Sequence, residues 1–388
     1  MNPTSSTPIE APPTTTDALR GVSRDKAGTP SPLTELSRID AGLPPGCETV
    51  GLPVVWDAWT AGGPTVEQLA ANYDLLTIDH ADLGDAVAAG CLVPVDELVG
   101  AAALERWRAG AIGPAFAAYE RSGRAWAVPY HVSAQMSAVR ADLAAAARLP
   151  TTWDDVVTSA VPLTVCLGGE HALLTLSALC LSDSERLGEG AEFVSREGGV
   201  RALERLAALV ARSDPRLWHR GPRTVLEALA QGDGPVYCPL VPGCATATRS
   251  GRHPLAFGAP PAARGVLAGT GLAVSRRRAH DPLIREALRD HLVRLLADPV
   301  QCGLFPVTGA QPASRAAWAD ARAGRRWGGF YRATLDTVET AWILPNHPGF
   351  PAFQHAASEL LRAALVEHRA PVSVVSDLNR LYRQRSCT

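Results

Sequence analysis

Short apolar runs rich in β-branched residues alternate along the chain with longer Ala/Leu/Arg segments whose apolar positions recur at helical spacing. That alternation is the mark of an α/β chain. Tyr73-Asp74-Leu75-Leu76-Thr77-Ile78 predicts a buried strand that ends at the polar cluster Asp79-His80-Ala81-Asp82. A helix over 83–89 follows, stopped by Gly90, then an extended piece over 92–95, a helix from Asp96 and a further helical stretch over 101–121. Residues 123–130 predict a turn feeding a strand, 132–140 a second extended segment, and Thr151-Thr152-Trp153 a helix start whose threonines cap backbone amides. Beyond it the pattern predicts helices near 170–182, 198–212, 222–231, 281–297 and 352–369, with strands at 235–240 and 271–275. No repeat of fixed period interrupts this order, which removes solenoids and propellers.

At 388 residues the chain exceeds what one hydrophobic core usually supports, so two lobes are expected. A composition of 46% hydrophobic and 20% charged residues suits a packed enzyme or receptor. The formal net charge of −2 lacks the basic surplus that nucleic-acid binding draws on. Lys26 is the only lysine, and Arg24-Asp25-Lys26-Ala27-Gly28 is no phosphate loop, so Schiff-base and P-loop chemistry lose their usual carrier. The eight cysteines are scattered without C-x-x-C spacing and read as reduced thiols; no metal site and no cofactor are expected. Residues 1–17 are rich in Pro, Thr and Ser with no apolar core, which predicts a disordered tail rather than a signal peptide. The longest apolar run, 172–181, is too short to span a bilayer. Cytoplasmic residence is the resulting expectation, with an extracytoplasmic one only if the start lies upstream.

The order of these segments resembles a known family. Residues 73–79 followed by Ala89-Gly90-Cys91-Leu92-Val93-Pro94-Val95-Asp96-Glu97-Leu98 resemble a strand and helix of the family 1 extracellular solute-binding proteins of ABC transporters. Residues 123–130 and then Pro150-Thr151-Thr152-Trp153-Asp154-Asp155 are similar to the family's G-x-x-x-x-x-P-Y and P-x-T-W-D-E pair. Residues 269–275, Leu295-Leu296-Ala297-Asp298-Pro299-Val300-Gln301 and Pro312-Ala313-Ser314-Arg315 resemble its returning strand, its S-P-E-x-Q helix end and its P-x-R segment. The resemblance implies a two-lobed periplasmic-binding-protein-like fold of type II, each lobe a mixed sheet flanked by helices, with a hinge between them. It further implies an N-lobe of 18–128 plus 266–311 and a C-lobe of 131–264 plus 313–388 that close around a ligand. An ABC permease is the implied partner if the chain is exported.

Ligands of open α/β sheets bind beyond the carboxyl ends of strands, which makes Asp79, His80 and Asp82 candidates for binding hydroxyls, against plain strand-end capping. Tyr130, His131, Ser133 and Gln135 form a second group, because alternation puts His131, Ser133 and Gln135 on one face. Arg24 and Asp25, after a possible first strand, face either a ligand or each other in a surface ion pair. His171 lies at a helix start, where a capping role competes with ligand contact. Tyr237 and Cys238 end a strand and are placed at the cleft; Cys238 reads as a packed thiol more readily than as a nucleophile. Trp327, Tyr331 and Trp342 are aromatic platforms for a sugar or else core fillers.

Two functions follow. The first is binding of a sugar or related polar metabolite in the interlobe cleft, with no nucleic acid and no membrane insertion. The alternative is a cytosolic lyase, isomerase or cyclase on the same scaffold, with Asp79, His80 and His131 as the acid–base set. No G-x-S-x-G, H-E-x-x-H or strand-linked G-x-G-x-x-G motif supports other enzyme classes.

Overall fold

A computed structural model describes residues 18–24, 33, 54–59, 64–144 and 149–386. The tail expected at 1–17, and Asp25, lie outside the described residues. Seven strands of this protein matter for the site: β1 (Leu19–Arg24), β2 (Val54–Trp59), β3 (Leu75–Ile78), β4 (Ala127–Arg140), β5 (Tyr237–Pro242), β6 (Leu255–Gly258) and β7 (Leu267–Ser275). They join in the order β2-β1-β3-β7-β4-β5, with β6 also on β4 and the short Leu92–Val93 on β7. The β1–β2 and β1–β3 pairs are parallel, and β3–β7, β7–β4, β4–β5 and β4–β6 are antiparallel.

β4 holds the architecture together. It pairs with β7 from Ala127 to Ala134, then with β5 and β6 from Gln135 to Arg140, so one 14-residue strand serves two sheet halves. Helices gather about each half for the usual reason: an apolar stripe needs a sheet face or another helix to leave water. Helix His171–Ser182 is the extreme case. Every residue from Ala172 to Cys180 is buried, and its internal Ser177 hydroxyl donates back to Leu173 O at 2.8 Å.

Local chemistry explains the boundaries. Thr65 starts helix Val66–Asn72 with a capping box to Gln68, and Thr152 caps helix Trp153–Thr158 by accepting from Asp155 N. The later helices run His171–Ser182, Arg196–Arg212, Pro222–Gln231, Pro282–Leu295 and Phe350–Val366, close to their expected spans. Two expectations are corrected. Asp96 lies in a single 3-10 turn, Val95–Glu97, and the helix begins at Ala101 after an extended Gly100. The stretch 101–121 is helical only to Gly110. Gly113 then takes a left-handed φ of +49° against Val338 O and Glu339, Pro114 follows, and 120–125 forms a two-stranded hairpin.

The core divides unevenly about β4. On one face Ala127, Val132, Ala134, Met136 and Ala138 belong to a single apolar cluster that runs across both halves and includes Ile78, Ile112, Val241 and Phe330. On the other face the apolar packing is split. Val128 and Tyr130 join a first-half cluster with Leu75, Leu272, Phe116 and Phe305, while Val139 joins a second-half cluster with Tyr237, Leu240, Val266 and Phe353. Between these two cores β4 carries His131, Ser133, Gln135 and Ser137.

Candidate functional site

That polar strip arises from a bulge. Leu272 pairs with Val128 and Gly271 with Pro129, yet Thr270 pairs with His131, so Tyr130 is the extra residue. Beyond a bulge the alternation of sides resets by one. The face that carried Val128 therefore continues with His131, Ser133 and Gln135, and Thr270 stands beside His131.

The side chains of the strip are bonded to one another and to nearby backbone. Thr270 Oγ1 donates to Asp79 Oδ1 at 3.5 Å, which brings the carboxyl end of β3 onto this face. Gln311 N donates to His131 Nδ1 at 3.3 Å, and Val132 N donates to Gln311 O at 2.8 Å. Ser133 Oγ and Gln311 Nε2 both donate to Gly243 O, at 3.2 and 2.8 Å. Gln135 Oε1 accepts from Val266 N, and Ser137 Oγ donates to Ala259 O at 2.9 Å. Three chain crossings thus meet here: β4 itself, the approach to β7 at Val266, and 311–314, where His131 bridges Pro312 and Ala111 bridges Ser314.

The expected residues separate into those the fold brings together and those it does not. Asp79, His131 and Gln135 share the strip, with Asp82 half-buried one turn beyond Asp79. His80 is buried and lies edge-on to Tyr119, with ring centroids 6.4 Å apart. Burial, and after it the Asp79 carboxylate, hold the Tyr119 phenol well above its usual range, so it stays a neutral donor. Trp342 is half-buried at the second-half core, its backbone bridging Val266. His171 is half-buried at the start of helix His171–Ser182. Arg24 ends β1, but its side chain is not among those described.

Five of the candidate residues lie away from the strip, Tyr331 and Trp327 taking the core-filling alternative. Tyr130 is the bulged residue and packs on Phe305 inside the first-half core. Tyr237 and Cys238 are fully buried within β5; burial pushes the Cys238 thiol up to about 12, which removes it as a nucleophile at neutral pH. Tyr331 is buried with its hydroxyl donating to Ala310 O at 2.7 Å, and Trp327 donates to Pro306 O at 2.5 Å, so both serve packing. Sequence patterning missed Ser137, Thr270 and Gln311 on the strip; Gln311 lies in a loop 180 positions from the histidine it meets. No group of three potential metal ligands occurs among the described residues, nor any helix long and apolar enough to cross a membrane.

The halves touch at two rims. On the strip side Gly349 N donates to Asp85 Oδ1 at 2.7 Å, Arg121 donates to Asn346 at 3.1 Å, and Ala81 packs into the second-half core. On the continuous-core side Glu339, paired with Arg315 at 2.6 Å, accepts from Gly113 N at 3.0 Å. A separate hollow of about 330 Å³ lies between helix Ala101–Gly110, the end of helix Pro282–Leu295 and the crossing at Ala313-Ser314, lined also by Pro129 of β4 and by none of His131, Ser133, Gln135 or Asp79.

Residues 53–182, which hold Asp79, His131 and Gln135, match the family model of bacterial extracellular solute-binding proteins. The fold is that of the bacterial extracellular solute-binding proteins. Among solved structures of this fold, maltose-bound MalE3 of T. maritima superposes with a TM-score of 0.75 at 15% identity, covering 95% of this chain and 99% of that one. An ABC transporter solute-binding protein of Agrobacterium radiobacter K84 in complex with ribitol gives 0.75 at 17% identity, over 95% and 98%. UgpB of Mycobacterium tuberculosis in complex with glycerophosphocholine gives 0.71 at 15% identity, over 96% and 99%. No curated protein matches the chain in sequence.

Proposed function

We propose that this protein binds a small polar solute, a sugar or a related polyol, between its two lobes. The observation that carries this reading is the break in the core: apolar packing continues across one face of β4 and is interrupted on the other by His131, Ser133, Gln135 and Thr270 beside Asp79. Such a strip on the central strand of a solute-binding-protein fold offers hydrogen-bonding groups to a polar solute where apolar packing would offer none. Solved proteins of this fold are described with maltose, ribitol, tagatose and mannitol, which makes the class of solute a reasonable carry-over. The lobes would then pivot at the three crossings and close over the solute. An ABC permease is the partner that this role implies.

Calorimetric titration and melting shifts against maltose, ribitol, tagatose and mannitol test the reading, together with small-angle scattering of free and saturated protein. A saturable heat with a raised Tm and a smaller radius of gyration is the expected result. Flat titrations, an unmoved Tm and superimposable scattering curves across the panel would refute it.

A further inference from the structure

The strip contains one buried polar atom whose needs the protein does not meet. Gln311 is 4% exposed, and its side-chain Oε1 is buried without a hydrogen-bond donor. The orientation of the amide is not arbitrary, because Nε2 donates to Gly243 O at 2.8 Å and the flipped amide would set oxygen against oxygen. A buried carbonyl oxygen left without a donor is a standing cost to the fold, and native proteins rarely keep one without a partner that arrives later. Here the atom belongs to a side chain lying along His131 and Ser133, which its own backbone and amide groups contact through His131 Nδ1 and the shared Gly243 carbonyl.

We infer that Gln311 is a solute-binding residue whose amide oxygen accepts a hydroxyl hydrogen of the bound molecule at the hinge. This rests on the solute-binding reading of the strip. It also narrows the solute: the group that meets Gln311 carries a hydrogen to donate, as a sugar or polyol hydroxyl does and a carboxylate or phosphate oxygen without a proton does not. Because Gln311 sits on the third crossing and reaches across to Gly243, the bond it makes joins solute recognition to the segment about which the lobes turn.

Two variants test the role. Gln311→Met keeps the length of the side chain and removes the acceptor; Gln311→Glu keeps an acceptor and, protonated in this buried place, puts an O–H donor toward Gly243 O where Nε2 stood. Gly243 O retains the Ser133 hydroxyl in both, so the site stays assembled. Wild type and variants are titrated with maltose, ribitol, tagatose and mannitol, and the solute-free proteins are melted. The expected result is affinity reduced at least about tenfold in Gln311→Met, largely kept in Gln311→Glu, with a solute-free Tm for Gln311→Met equal to or above wild type. If wild type binds and Gln311→Met binds equally well, or if the solute-free Gln311→Met protein is markedly less stable than Gln311→Glu, the inference is wrong and an ordered water is the partner. If no solute binds wild type, the reading of the strip fails first and the inference with it.

Discussion

Adding one methyl group at Gly84 should hold the two lobes apart. Gly84 lies in helix Leu83–Ala88 of the first lobe, and a Cβ built on it would stand 2.1 Å from Asn346 O and 2.4 Å from the His347 carbonyl carbon, both backbone atoms of the second lobe. Ordinary contact begins near 3.4 Å, so Gly84→Ala demands about 1.3 Å of separation at this rim. The backbone there has no flexible side chain to swing away. Opening by that amount breaks the 2.7 Å bond from Gly349 N to Asp85 and stretches the 3.1 Å bond from Arg121 to Asn346. At roughly 0.5–1.5 kcal/mol for a neutral bond and more where a charge takes part, closure loses about 2–4 kcal/mol. Each 1.4 kcal/mol is about tenfold, so apparent solute affinity should fall by about thirtyfold to several-hundredfold. The assay is small-angle scattering with calorimetry: Gly84→Ala should show a larger radius of gyration than wild type and weaker binding, with far-ultraviolet circular dichroism unchanged. Superimposable scattering and equal affinity would refute the argument that this rim sets the interlobe distance.

Three further outcomes follow from buried groups. His291 has its pKa lowered from 6.5 to about 4 by burial and by Arg294, so its unfolded form takes a proton first on acidification; stability is full above 6.5 and drains as pH falls to 4, by about 3 kcal/mol at most. Urea melts of His291→Leu at pH 7.5 and pH 5 should lack that loss, and an identical pH slope in the variant would count against it. Burial alone would raise Asp74, but bonds from Arg278 and from Arg20 N, with the charges of Arg278 and Arg277, leave its carboxyl below the ordinary 3.8; its contribution is present above that value and disappears as pH drops through the folded one. Asp74→Asn should cost about 2–3 kcal/mol, less than a wholly buried pair because Arg277 and Arg278 stay 31% and 25% exposed, and equal denaturation midpoints would contradict it. Burial pushes the thiols of Cys180 and Cys238 up to about 12, so both should escape a thiol reagent at pH 8 until the chain is unfolded, as mapped by peptide mass spectrometry.

Where local pattern and packing agree, the elements were legible. β3 is four buried residues in a row, as expected of a strand covered on both faces, and helix Arg196–Arg212 follows its 3.6-residue stripe to within two positions. The misreading of 101–121 has a local cause as well: alanine-rich composition outweighed Gly110 and Gly113-Pro114, whose meaning depends on the distant Val338 carbonyl. Tyr237-Cys238 illustrates a different failure. The strand was expected to end there, but β5 begins at Tyr237, so the pair opens the strand inside the sheet, with Tyr237 flanked laterally by Val139 and Leu163, instead of standing at a carboxyl end.

The strip itself shows how far alternation can carry an argument and where it stops. Period-two spacing was enough to place His131, Ser133 and Gln135 on one face, but not to say which core that face belonged to. The answer came from the bulge at Tyr130, which lets consecutive residues do opposite work: Tyr130 closes the first lobe's core, and His131 opens the polar gap. Without the extra residue, Val132 and Ala134 would continue the face of Val128, and the two separated cores would be bridged by apolar side chains. A molecule built that way would gain buried surface at its centre, at about 25 cal/mol per Å², and lose the place where its halves can part. Keeping the bulge holds that face polar at its middle, which is what the proposed closure of the lobes around a hydrogen-bonding solute requires.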